Sequence, residues 1–117
     1  MLSHGGGHVI QITTSLVDHA GSDVPSVLAS LTKSGLRPAT KSPAIEYFGC
    51  GIHSTAVVLG IVKTPARPEA SRPTTAAMHP LGRMGEPEGR PGRDLPQGAF
   101  FATSEILAVD GGQSADH

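Results

Sequence analysis

Between Ile52 and Leu59 the chain reads Ile-His-Ser-Thr-Ala-Val-Val-Leu, and its later residues are apolar without alternation. A strand with one face in water alternates apolar and polar side chains; one covered on both faces reads as a continuous apolar run. Thr55-Ala56-Val57-Val58-Leu59 therefore predicts a strand inside a covered, parallel sheet. Two further runs join it. His8-Val9-Ile10-Gln11-Ile12-Thr13-Thr14 is rich in β-branched residues and follows the flexible Gly5-Gly6-Gly7. Glu105-Ile106-Leu107-Ala108-Val109 is stopped by the turn residues Asp110-Gly111-Gly112. Tyr47, Phe48, Phe100 and Phe101 are the only aromatic residues. The core must then be built of Val, Ile, Leu and Ala, which suits a buried parallel sheet better than a sandwich.

Parallel neighbours cannot be joined by a tight turn and need a crossover of a dozen or more residues. The segment Val24 to Phe48 provides one. Ser22 or Asp23 can cap it, Pro25 is tolerated in a first turn, and Val27, Leu28, Leu31, Leu36 and Ala39 make an apolar stripe near helical spacing. Pro38 and Pro43 oppose a continuous helix at roughly 3 kcal/mol apiece, so a kink or an end after Gly35 is expected. The fold class is α/β: about three parallel strands with one main crossover helix.

The 117 residues, 1–117, allow one domain at most, and a small one. A net charge of −1 offers no basic footprint for nucleic acid or an anionic membrane. No stretch approaches the roughly 20 apolar residues of a bilayer span, and the first residues show no secretory signal. The single cysteine, Cys50, excludes an internal disulfide and a thiolate zinc cluster, so no metal is expected and a reducing, cytoplasmic setting fits best. Residues 65–99 hold seven of the ten prolines and little apolar periodicity. Such composition buries too little surface to offset ordering entropy, so this segment is expected to be mobile, with one helical turn at Thr74-Thr75-Ala76-Ala77-Met78. Its least ordered part is expected at Glu88 to Gly98.

Four strings stand in a telling order: Ile12-Thr13-Thr14-Ser15; Lys33, followed by Ser42, Ala44, Ile45 and Glu46; Leu59-Gly60-Ile61-Val62-Lys63-Thr64-Pro65; and His79-Pro80-Leu81-Gly82-Arg83-Met84-Gly85-Glu86-Pro87. Together with Val109-Asp110-Gly111-Gly112 they resemble the C-terminal half of a short-chain dehydrogenase/reductase. The resemblance runs from Gly7 to Gly112 and weakens between Glu88 and Phe100. It implies a truncated doubly wound, Rossmann-like parallel sheet. It also implies hydride transfer between NAD or NADP and a small-molecule alcohol or carbonyl substrate. By the same resemblance Thr14 or Ser15 stands at the catalytic serine, and Lys33 at the lysine of Tyr-x-x-x-Lys, which also binds the nicotinamide ribose. Gly60, Ile61, Val62 and Thr64 stand in the turn beside the nicotinamide. Self-association through Val24–Phe48 and Glu105–Val109 is implied too.

The family's residue types are chemically intelligible. A tyrosine and a lysine four apart share one helical face, and the cation favours the phenolate that exchanges a proton with substrate. Here the position four before Lys33 is Ala29. Tyr47 lies fourteen residues beyond Lys33, roughly 21 Å along a continuous helix, and cannot substitute. Leu59 stands at the turn proline, Thr55 where asparagine is frequent, and the glycine-rich cofactor turn would belong upstream of Met1. The expected function is an impaired NAD(P)-dependent oxidoreductase, with a non-catalytic remnant or interaction module as the alternative.

Plainer readings compete at each site. Most lysines are solvated, and strand-end hydroxyls such as those of Thr14 and Ser15 often serve only the backbone. Gly60 reads equally as a simple strand end. His4-Gly5-Gly6-Gly7 matches an esterase oxyanion string but lacks a G-x-S-x-G elbow. His4 and His8 have the spacing of helical metal ligands with three helix-opposing glycines between them. Ser15, Asp18 and His19 sit in a loop setting where chance proximity is the default, and Arg83, Arg90 and Arg93 read as solvated loop charges.

Overall fold

In the computed structural model, residues 1–18, 25–65, 67–87 and 103–115 are described. The strands are β1 (Gly7–Thr14), β2 (Ile52–Leu59) and β3 (Ile106–Val109); the helices are α1 (Val27–Lys33), α2 (Pro38–Glu46) and α3 (Arg72–Ala77). The sheet has the order β1-β2-β3, with both pairs parallel. It is the small α/β parallel sheet that the apolar run of β2 asks for. Its central strand is flanked on both sides, and Ala56, Val57 and Val58 are all buried.

Register decides where chemistry can sit. Thr14 pairs with Leu59, and Leu59 with Val109, so all three strands end together at their carboxyl edge. That edge is where ligands bind in open α/β sheets.

The crossover is two short helices instead of one long one. A 3-10 turn at Ser34–Leu36 separates α1 from α2, close to the expected break after Gly35. Pro38 opens α2 in the first turn, where its missing N–H breaks no helical bond. Pro43 lies inside α2. The helix begins at Val27, and the proposed caps Ser22 and Asp23 lie outside the described residues. So do Glu88 to Gly98, Arg90, Arg93 and His19.

α2 packs against β2 with Thr40 and Ala44 fully buried, opposite a strand whose Ser54 and Ala56 are also fully buried. Small side chains on both elements allow this close approach. The apolar stripe of α1 behaves differently. Val27, Leu28 and Leu31 are 83%, 72% and 78% exposed. Periodicity finds the stripe, yet nothing among the described residues covers it. One face of β1 is likewise half exposed at Ile10 and Ile12. No helix among the described residues is long and apolar enough to cross a membrane.

Within the Pro- and Gly-rich segment, α3 spans Arg72–Ala77, two residues earlier than the expected turn, with Pro73 in its first turn. A parallel bridge joins Val62 to Gly85. The Lys63 N–H donates to the Gly85 carbonyl at 2.8 Å, and the Gly85 N–H to the Ile61 carbonyl at 3.2 Å. This half of the segment is pinned to the chain leaving β2.

Candidate functional site

At the carboxyl edge of the sheet, β1 passes into a 3-10 turn, Ser15–Val17, where the Thr14 hydroxyl accepts the Leu16 N–H at 3.4 Å. Thr13 is buried, and its hydroxyl donates to the Lys33 carbonyl at 3.4 Å. This contact draws the last turn of α1 against the end of β1. Arg37, at the junction of the two helices, pairs with Asp18 at the end of the 3-10 turn. β2 then delivers Gly60, Ile61 and Val62 into the gap.

The result is an open cleft of about 240 Å³, lined by Ile12, Thr13, Thr14, Leu16, Lys33, Leu59, Gly60, Ile61, Val62 and Arg67. Five of the residues singled out from the sequence, Thr14, Lys33, Gly60, Ile61 and Val62, meet there. Two do not. Ser15 is fully buried, and its hydroxyl donates to Gln113 Oε1 at 2.8 Å, tying the end of β1 to the chain after β3. Thr64 is half-buried beyond the cleft, with its carbonyl accepting the Arg67 N–H at 3.0 Å. A larger hollow of about 310 Å³ lies on the other side of the Gly60–Val62 turn and includes Arg83, Glu86 and His79. Of these two, the smaller cleft is the better candidate because both Thr14, at the end of β1, and Lys33, at the end of α1, line it.

No protein-family model matches the chain. The cis-4-hydroxycyclohexanecarboxylate dehydrogenase of Sinomonas cyclohexanicum is 33% identical to it; the alignment covers 98% of this chain and 48% of that protein. A protein described as an NAD(P)-dependent gluconate 5-dehydrogenase from Beutenbergia cavernae, solved with bound NADP, superimposes with a TM-score of 0.78 at 28% identity. It covers 99% of this chain and 49% of its own. A short-chain dehydrogenase family protein from Francisella tularensis superimposes with a TM-score of 0.77 at 18% identity, over 96% of this chain and 52% of its own. The chain belongs to the short-chain dehydrogenase/reductase family. It spans about half the length of the relatives it matches.

Against the family's Tyr-x-x-x-Lys, α1 carries Ala29 one helical turn before Lys33, on the same face. The turn at Gly60 owes its glycine to close approach. A Cβ there would lie 2.8 Å from Asp110 Cα and 2.8 Å from His79 Nε2. Among the described residues there is no cluster of three or more His, Cys, Asp or Glu side chains arranged for a metal.

His79 and Asp110 stand in the family strings, Asp110 also as the stop of β3, but neither was among the candidate site residues. Asp110 is buried. Burial pushes its carboxyl pKa up, but bonds from the Ser114 hydroxyl and the Ser114 and Gly112 N–H groups outweigh that, leaving it below the usual carboxylate range. A carboxylate depressed on folding stabilises the native state above its unfolded pKa. That contribution is lost as pH falls through the lowered folded value. Thermal melts should therefore lose stability through the acid range, and Asp110→Asn should flatten that dependence and lower stability near neutral pH by about 1–3 kcal/mol. Equal pH slopes in the two proteins would refute this role.

Proposed function

We propose that this chain forms the nicotinamide- and substrate-facing side of an NAD(P)-dependent oxidoreductase acting on a small alcohol or carbonyl compound, with proton transfer impaired. The observation that carries it is the convergence of Thr14, Lys33 and the Gly60–Val62 turn on one cleft at the carboxyl edge of a parallel sheet. Its size suits the purpose. About 240 Å³ is smaller than a pocket for a drug-sized ligand and fits one ring end of a dinucleotide. The half-buried Lys33 would donate to the ribose hydroxyls, and the Thr14 hydroxyl would hold the substrate oxygen. The Gly60, Ile61 and Val62 backbone, with Thr64 beyond it, would flank the nicotinamide. A bound oxidised nicotinamide would supply a hydride acceptor for the alcohol carbon, and the hydroxyl proton would need a base in the site. A relative named for dehydrogenating a hydroxycyclohexane carboxylate supports an alcohol substrate.

A second reading rests on Ala29. Its methyl cannot exchange a proton, so on this reading the chain binds without turning over, as a non-catalytic member of the family or an interaction module. Mapping where a nicotinamide nucleotide binds tests what both readings share; restoring a tyrosine separates them.

The apolar stripe of α1, with Ile45 of α2 at 77% exposure, belongs to the same reading as a surface for a second copy of the chain. Light scattering should report an oligomer, and the double variant Leu28→Glu, Leu31→Glu should shift it towards monomer. A monodisperse wild-type monomer would sink this part. A cytoplasmic setting accompanies it, on the single cysteine Cys50, which is exposed and unbridged.

A further inference from the structure

His79 is 3% exposed, and both of its ring nitrogens are committed. Nδ1 lies 3.1 Å from the Thr75 carbonyl, which can only accept, so Nδ1 carries the hydrogen. The Ile61 N–H donates to Nε2 at 3.0 Å, so Nε2 offers its lone pair. These two partners fix the neutral Nδ1–H tautomer without appeal to any other contact. Thr75 is itself buried and bonded back to the Ser71 carbonyl at 2.7 Å, so the ring stands on a braced helix.

The other end of this bridge is the wall of the cleft. Ile61 is buried; its N–H is held by His79 and its carbonyl accepts from the Gly85 N–H at 3.2 Å. The Gly60 N–H is held by the Val109 carbonyl at 3.2 Å. Of these three bonds, only the one at His79 depends on a side chain. An amide N–H buried at Ile61 without an acceptor would drive the turn to rearrange.

We propose that His79 is a positioning residue for the cleft: as a neutral imidazole bridging Thr75 and Ile61, it sets the path of the Gly60–Val62 turn and so the affinity for the ligand that turn contacts. The consequence for affinity rests on reading the cleft as the nicotinamide side; the bridge itself does not.

The test uses the whole chain and compares His79→Phe, which fills the space without an acceptor, with His79→Gln, whose amide can accept from Ile61. Amide exchange at Ile61 should speed up about ten- to a hundredfold in the Phe variant, while Val57 and Val58 keep their protection. The Gln variant should return Ile61 to within a few-fold of wild type. Nicotinamide nucleotide affinity should fall and recover in the same order, which packing alone would not produce. In the wild type, long-range proton–nitrogen spectra should show Nδ1 protonated and Nε2 bare. The proposal is overturned if the Phe variant keeps Ile61 protected, if Gln behaves like Phe, or if the spectra show the other tautomer. Should the Phe variant not fold, the wild-type spectra and the Gln variant decide. Failure to bind nucleotide, with the Ile61 pattern intact, would count against the functional reading and leave the bridge standing.

Discussion

Replacing Ala29 with tyrosine is expected to raise alcohol-oxidation turnover by about 10²–10⁴-fold in a preparation that binds the nicotinamide cofactor. Ala29 and Lys33 lie four residues apart in α1, so a phenol at position 29 would stand one turn from the ammonium on the same face. A nearby cation stabilises the phenolate and lowers the pKa of the phenol towards the working pH. The substrate hydroxyl then has a base within the site, which a methyl group cannot supply. Ala29 is half-buried, so the added ring needs room around α1, and circular dichroism should accompany the kinetics. Steady-state rates on a panel of small secondary alcohols, measured across pH, give the answer. The gain should bring a new ionisation in the pH–rate profile. A folded, cofactor-binding Ala29→Tyr protein with unchanged turnover would show that position 29 is not where the proton leaves.

Gly60→Ala should be the most damaging single methyl in the site, costing about 1–3 kcal/mol of stability. Its Cβ would meet Asp110 Cα at 2.8 Å, the Asp110 carbonyl oxygen at 3.0 Å and His79 Nε2 at 2.8 Å. Two of these atoms are backbone, and the third is fixed by its own hydrogen bond, so none can swing away as a free side-chain end would. For a domain of this size the melting temperature should drop by roughly 4–8 °C per kcal/mol. Gly85→Ala is the matched control. There the nearest atom is Val62 Cγ2 at 3.4 Å, an ordinary contact, and little change is expected. Equal melting temperatures for the Gly60 variant and wild type would mean that β2 and the Asp110 turn are not packed as described.

Much of the sheet was legible because strands speak through local residues. β2 ends with its apolar run at Leu59, and Asp110-Gly111-Gly112 stops β3 with both glycines at positive φ. The break in the crossover was legible from its prolines. The destination of the α1 stripe was not, because periodicity says which residues share a face and nothing about what lies opposite. Leu28 and Leu31 are apolar and helical, and still face outward. At the site, Thr14, Lys33 and the Gly60–Val62 turn were readable through the family strings. Thr14 and Ser15 could not be separated by sequence, because one residue along the end of a strand reverses the direction of the side chain. The structure puts Thr14 in the cleft and Ser15 against Gln113. His79 was unreadable for another reason: its role depends on the distance from α3 to Ile61, which no local pattern encodes.

On the proposed function, the cleft between Thr14, Lys33 and Ile61 receives the nicotinamide end of the cofactor. The most direct measurement is a chemical-shift titration of the labelled chain with nicotinamide mononucleotide, which carries the ring, ribose and one phosphate. Shifts should cluster on Thr14, Lys33, Gly60, Ile61 and Val62 and saturate at millimolar ligand or below, and Lys33→Met should weaken them several-fold by removing the ribose donor. Shifts confined to the hollow around Arg83 and Glu86, or none at millimolar ligand, would contradict the assignment of this cleft.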